Sequence, residues 1–245
     1  MNDEVNDEMT EPEYTIIMSC KNNLEFTKQA VNSILEAAGQ ENFEFLITDD
    51  GSDDGTFDYL MHMESAHPQI SIDRNEINIG VPKTLNNMMR KARGQFVVRV
   101  DNDICIATSS FLRHMRFWFE KIPSLGALSA ITNRTSGPAG KKELKDVKMS
   151  FQYTDWLNGL CMMFRKSALE KVGFIDEKFP KMYGEDRDLV FRIVENGFSA
   201  GLCHNAFCFH KGKKTIDPNS EEGKHCWAKS NKLLEERYGK PKPKV

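Results

Sequence analysis

The sequence predicts an α/β protein built on a single, mostly parallel, twisted sheet flanked by helices. Three observations lead there. Apolar runs of strand length alternate with segments of helical periodicity from Tyr14 to Asp103, the pattern of right-handed βαβ crossovers. The run Gln95–Asp103, QFVVRVDND, packs valines and a phenylalanine into a short stretch and then stops on Asp101-Asn102-Asp103. Phe43–Thr48 likewise stops on Asp49-Asp50. Strands buried on both faces are near-continuously apolar, and in open α/β sheets ligands sit beyond the carboxyl ends of the strands. Two acidic strand ends therefore belong on one edge, where carboxylate oxygens suit Mg2+ or Mn2+. Taken alone, the triplet reads equally as a polar turn.

In chain order, Tyr14–Cys20 is the first strand. Leu24–Ala38 follows as a helix, with Phe26, Ala30, Ile34 and Ala38 at four-residue intervals and Gly39 as its stop. Phe43–Thr48 is the second strand, Thr56–His67 a helix and Gln69–Arg74 the third strand. A turn over Asn78–Pro82 opens a helix to about Ala92, and Gln95–Asp103 comes next. Ser109–Glu120 is a helix whose inner face carries Phe111, Met115 and Trp118 or Phe119, and Leu125–Ile131 is a strand. Thr132–Lys148 reads as a polar loop, Ser150–Phe164 as strand-like sequence interrupted at Asn158-Gly159, and Lys166–Val172 as a short helix. Met182–Asn196 forms a helix after Gly184. At 100° per residue Asp186 shares the face of Leu189 and Val190, whereas Asp188 lies about 200° away. Dipole preference explains acids in a first turn, but not an inward-facing one, which is costly without a partner. Leu202–Phe209 is the last strand, ending on His210, and Ser220–Tyr238 the last helix.

Composition narrows the classes. A chain of 245 residues, 40% hydrophobic, has ample core for one large domain. No run approaches the ~20 apolar residues of a membrane span, and the N-terminus is acidic where a signal peptide is basic and then apolar. The expectation is a cytoplasmic protein, free or peripheral at a membrane. A net charge of -3 gives no general ground for nucleic-acid binding. Neither GxGxxG nor GxxxxGK[ST] follows the first strand, which disfavours dinucleotide oxidoreductases and P-loop NTPases. Six cysteines without a CxxC pair read as buried thiols, and the spacing of Cys203, His204, Cys208 and His210 matches no common zinc finger.

Six pieces in order carry a resemblance: LITDDGSDDGT; Asn78, Gly80 and Asn86 around the third helix; ARGQFVVRVDND; LNGLCMMFRKSALEKVGFIDEKF; GEDRDL; and FCFHKG. From about Tyr14 to Gly212 the chain resembles the family 2 glycosyltransferases of the GT-A fold. The resemblance implies transfer of a sugar, with inversion, from a UDP-, dTDP- or GDP-sugar to a hydroxyl of a glycan, lipid-linked glycan or other acceptor. It also implies Mn2+ or Mg2+ at a DxD motif, Asp101-Asn102-Asp103, with Asp103 as direct ligand, Asp101 on the metal and the donor, and His210 completing the site. Asp49 or Asp50 would receive the nucleobase or ribose. Cys20, Asn22, Asn78, Asn86, Asn102 and Glu185 fall among the donor-binding positions, although the family's usual proline near Cys20 is absent. Asp186 of GEDRDL would be the general base, and Lys211, Lys213 and Lys214 could face the departing diphosphate. The implied layout is a flexible acidic segment 1–13, a glycosyltransferase domain 14–215, and a C-terminal helix with a basic Lys/Pro tail over 216–245. Acceptor recognition is expected in 132–158. A sugar nucleotidyltransferase, an enzyme acting on modified DNA bases and an inactive nucleotide-sugar-binding module are the alternatives.

Overall fold

The computed structural model describes residues 11–134, 138–212, 217 and 219–239. The first ten residues, Lys213, Lys214 and the Lys/Pro tail, for which expectations were given above, lie outside them.

The elements run β1 Tyr14–Cys20, α1 Leu24–Ala38, β2 Phe43–Asp49, α2 Thr56–Ala66, β3 Ile70–Arg74, α3 Val81–Lys91, β4 Phe96–Val100, β5 Ile104–Ile106, α4 Phe111–Lys121, β6 Leu125–Thr132, β7 Phe151–Tyr153, β8 Cys161–Arg165, α5 Lys166–Val172, α6 Glu185–Glu195, β9 Ser199–His210 and α7 Glu221–Tyr238. One nine-stranded sheet has the order β3-β2-β1-β4-β8-β6-β9-β5, with β7 also paired to β9. From β3 to β4 every pairing is parallel. Beyond β4 the sheet is mixed, because β8 runs antiparallel to both β4 and β6.

The period of two along β1 explains how one sheet serves two cores. Ile16, Met18 and Cys20 pack with α1, α2 and α4, whereas Ile17 packs on the other face with Leu85, Met88 and Met89 of α3 and Leu189, Val190 and Ile193 of α6. Every residue of β6 is buried, as expected of a strand covered on both sides. On α4 it is Phe119, not Trp118, that joins Phe111 and Met115 inside. Trp118 lies at the margin and donates its indole N–H to Asn205 at 2.7 Å. All six cysteines are unbonded thiols, and all but Cys105 are buried.

The chain leaves β1 outward to β2 and β3 and then crosses back to β4. This reversal puts the ends of β1, β2 and β4 around one crevice.

Candidate active site

The loops at the crevice are tied together by short polar side chains. Asn22, in the left-handed backbone region at φ 55°, receives the Asp53 N–H on its Oδ1 and donates its own N–H to Ser52 Oγ at 2.8 Å. Asn102 donates to Asn22 O at 3.3 Å and to Thr27 Oγ1 at 3.0 Å, fastening the Asp101–Asp103 turn to β1 and α1. These two asparagines shape the rim. The Cys20 side chain is buried in the core, which holds its thiol un-ionised far above the ordinary range. Only the Cys20 backbone reaches the crevice, where its carbonyl accepts from Asp50 N at 2.7 Å.

The two acids after β2 do different work. Asp50 accepts from Asn75 Nδ2, Ile79 N and Gly80 N, each at 2.9 Å, so it is fully engaged in holding the 75–80 turn. Asp49, also buried, accepts from Ser52 N at 3.2 and 3.3 Å and lies 3.4 Å from Arg74 Nε. Asp50→Ala is expected to strand two backbone N–H donors and lower unfolding free energy by about 3 kcal/mol, read from urea denaturation. A loss within 0.5 kcal/mol, roughly the scatter of surface substitutions, would mean the turn holds itself. Asn78 sits on this turn and keeps a buried Oδ1 with no partner among the described residues. Asn86 is placed elsewhere. It is buried, and its amide bonds Ile175 N, Ile175 O and Glu177 Oε1 at 2.8–3.0 Å, clamping α3 to the 175–177 segment.

At the triplet, β5 decides the geometry. Ile104 pairs with His210 across the antiparallel β5–β9 ladder, and Lys211 N donates to Asp103 O at 3.0 Å. His210 Nε2 thereby comes within 3.2 Å of Asp103 Oδ2, while Nδ1 meets the Arg134 carbonyl at 2.6 Å. Burial opposes the imidazolium, but the Asp103 carboxylate outweighs it, and the His210 pKa is raised. Asp101 turns the other way and accepts from Arg99 Nε at 3.1 Å. Its pKa is raised by burial and by Asp103, against the pull of Arg99.

The carboxylate and imidazole of Asp103 and His210 form a donor pair that suits Mn2+ or Mg2+, with Asp101 adding charge beside them. Among the described residues no three His, Cys, Asp or Glu side chains already converge on one point. The pair fits a metal whose remaining positions are filled by oxygens of a bound ligand and water.

Across the crevice, α6 begins at Gly184, which adopts φ 83° against Phe179 and Ser230. Asp186 is half-buried; its Oδ2 accepts from Gly159 N at 2.7 Å and its Oδ1 from Arg187 N at 2.8 Å. Helix angles alone turned Asp188 away from the protein, and the structure corrects this. Asp188 is 0% exposed, bonded to Arg192 Nε at 2.8 Å, Tyr238 OH at 2.9 Å and Arg237. The reason is that α6 is covered on two sides, by the sheet and by α7, so a face that points away from one core enters another contact. Glu185 is also buried, salt-bridged to Arg99 Nη1 at 3.1 Å, with Oε2 unpartnered among the described residues. Burial and the neighbouring Asp186 push its pKa up to about 7, with Arg99 opposing.

Arg99, Gly159, Ser52 and Arg74 were given no site role from the sequence. Arg99 had a visible signal, a charge within the apolar strand FVVRV, since a buried guanidinium requires carboxylates beside it.

A central sheet with helices on both faces and carboxylates gathered at one edge is an architecture that glycosyl-transferring enzymes of the GT-A fold share. The Glycosyl transferase family 2 profile matches residues 15–173, and the chain belongs to that family of glycosyl-transferring enzymes. A poly-beta-1,6-N-acetyl-D-glucosamine synthase of Staphylococcus epidermidis is 28% identical over 175 residues, covering 66% of this chain and 42% of the synthase, so the chain spans less than half of that relative. Among solved structures, the mannosyltransferase PcManGT of Pyrobaculum calidifontis, in complex with GDP-Man and Mn2+, superposes with TM-score 0.69 at 20% identity, covering 95% of this chain and 66% of that one. GalNAc-T7 with UDP, GalNAc and Mn2+ gives TM-score 0.71 at 11% identity, covering 93% and 51%. These likenesses show the GT-A fold. No described helix is long and apolar enough to cross a membrane.

Proposed function

We propose that this chain is an inverting, metal-dependent glycosyltransferase moving a sugar from a UDP-, dTDP- or GDP-sugar to a hydroxyl of a glycan or lipid-linked glycan. The observation that carries the reading is the pairing of Asp103 with His210 at the sheet edge, opposite an Asp186 carboxylate fixed by Gly159. Mn2+ in two neighbours of the same fold supports the choice of metal. Asp103 and His210 would hold the metal, with Asp101 toward the donor. When bound, the metal neutralises charge on the diphosphate leaving group.

The protein's own residues do the rest. Asp50 sets the 75–80 turn that walls the donor side, Asn22 and Asn102 lock the rim, and Asp49 with Ser52 and Arg74 is the end of β2 left to meet the base. Asp186 takes the proton of the acceptor hydroxyl as that oxygen attacks the anomeric carbon, opposite the departing nucleotide. Attack from that face inverts the centre. We assign the transfer domain to 14–215 and regard α7 as an appended support.

A thermal-shift panel of nucleotides and nucleotide sugars tests this. One nucleotide class should raise Tm with Mn2+ and much less without it, since ligands that bind only the folded state stabilise it. No shift across UDP, dTDP, GDP and their sugars would count against the reading.

A further inference from the structure

Arg99 lies in the middle sheet strand β4, its side chain 7% exposed, with one nitrogen on the Asp101 turn and another on the start of α6. Nε donates to Asp101 Oδ1 and Nη1 to Glu185 Oε1, both at 3.1 Å. The first partner opens the donor-side triplet; the second directly precedes Asp186. Asp186 adds to the field around the guanidinium. The space above Arg99 is kept by Gly159, where a Cβ would lie 2.5 Å from both Arg99 Cζ and Nη1. The same Gly159 donates its N–H to Asp186. One guanidinium thus touches the donor side directly and the base side twice, through Glu185 and through the glycine that steers Asp186.

We propose that Arg99 is a positioning residue that sets the Asp101–Asp103 turn and the Glu185–Asp186 helix start at a fixed separation, so that donor and acceptor proton meet in register. A planar fork holds two carboxylates at fixed directions, whereas the three rotatable donors of an ammonium can reach both without fixing either. Any drift of the fork would release both sides together. An ion pair serving only the fold would act on stability without favouring either side of the reaction.

This inference rests on the glycosyl-transfer reading, and the experiment separates the two. Wild type, Arg99→Lys and Glu185→Gln are compared for Tm, for UDP, dTDP and GDP affinity with Mn2+, and for donor turnover. Glu185→Gln removes charge from the base-side arm alone, so turnover should fall at least tenfold while nucleotide affinity changes less than twofold. Arg99→Lys loosens both arms, so turnover should fall at least tenfold and nucleotide affinity at least fivefold. Gly159→Ala, which pushes on the same guanidinium, should reproduce the Arg99→Lys pattern if the lysine variant fails to fold. A folded Arg99→Lys with unchanged nucleotide affinity and turnover overturns the proposal, as does any loss that merely tracks Tm in both variants. Wild type that binds none of UDP, dTDP and GDP with Mn2+ overturns the transferase reading and this inference with it.

Discussion

Asp186→Asn is expected to lower sugar transfer by about 10²–10⁴-fold, the usual contribution of a positioned general base. The amide is nearly isosteric, and its oxygen can still accept the Gly159 N–H that the carboxylate accepts at 2.7 Å, so the start of α6 should keep its shape. What is lost is the ability to take a proton. Nucleotide affinity with Mn2+ should therefore stay within twofold, and Tm within a few degrees. The assay is donor turnover with a competent acceptor set against nucleotide binding by thermal shift. Transfer near the wild-type rate would remove Asp186 from the base role. In that event Glu185, buried beside it and shifted toward about 7, would be the next carboxylate to test.

The second large effect is expected at Asp103. Asp103→Ala should abolish the Mn2+-dependent part of nucleotide binding and reduce transfer on the order of 10³-fold, because several kcal/mol of leaving-group stabilisation depend on the metal. The backbone link from Lys211 N to Asp103 O does not involve the side chain, so the β5–β9 pairing survives the substitution. His210→Ala should act in the same direction, because the two side chains form one donor pair. Calorimetric titration with Mn2+ and UDP or GDP, repeated after EDTA treatment, reads the effect. Unaltered Mn2+ dependence in Asp103→Ala would place the metal elsewhere.

Most of the architecture was legible because its signals are periodic. Buried strands such as β1 and β6 are mostly apolar runs, and α1 repeats its apolar positions every four residues. The three residues of β5 are too few to show any period, yet they bring His210 to Asp103. The antiparallel insertion of β8 was equally hidden, since strand direction leaves no mark on composition. At the site, residue types were readable and their employment was not. Asp50 and Asn86 look like ligand-binding residues in sequence, but the structure spends their hydrogen bonds on a turn and on a clamp between α3 and the 175–177 segment. Asp188 failed for another reason. A helical wheel describes burial against one neighbour, and α6 has two.

The lock on Asp188 has a consequence for how the molecule comes into being. Arg237 and Tyr238, which close it, come from the last turn of α7, long after all nine strands have been synthesised. A nascent chain can therefore complete its sheet while Asp188 has only Arg192, one turn along its own helix, to answer its charge. Full closure of the Asp188 lock waits on residues well outside the 15–173 stretch that matches the family.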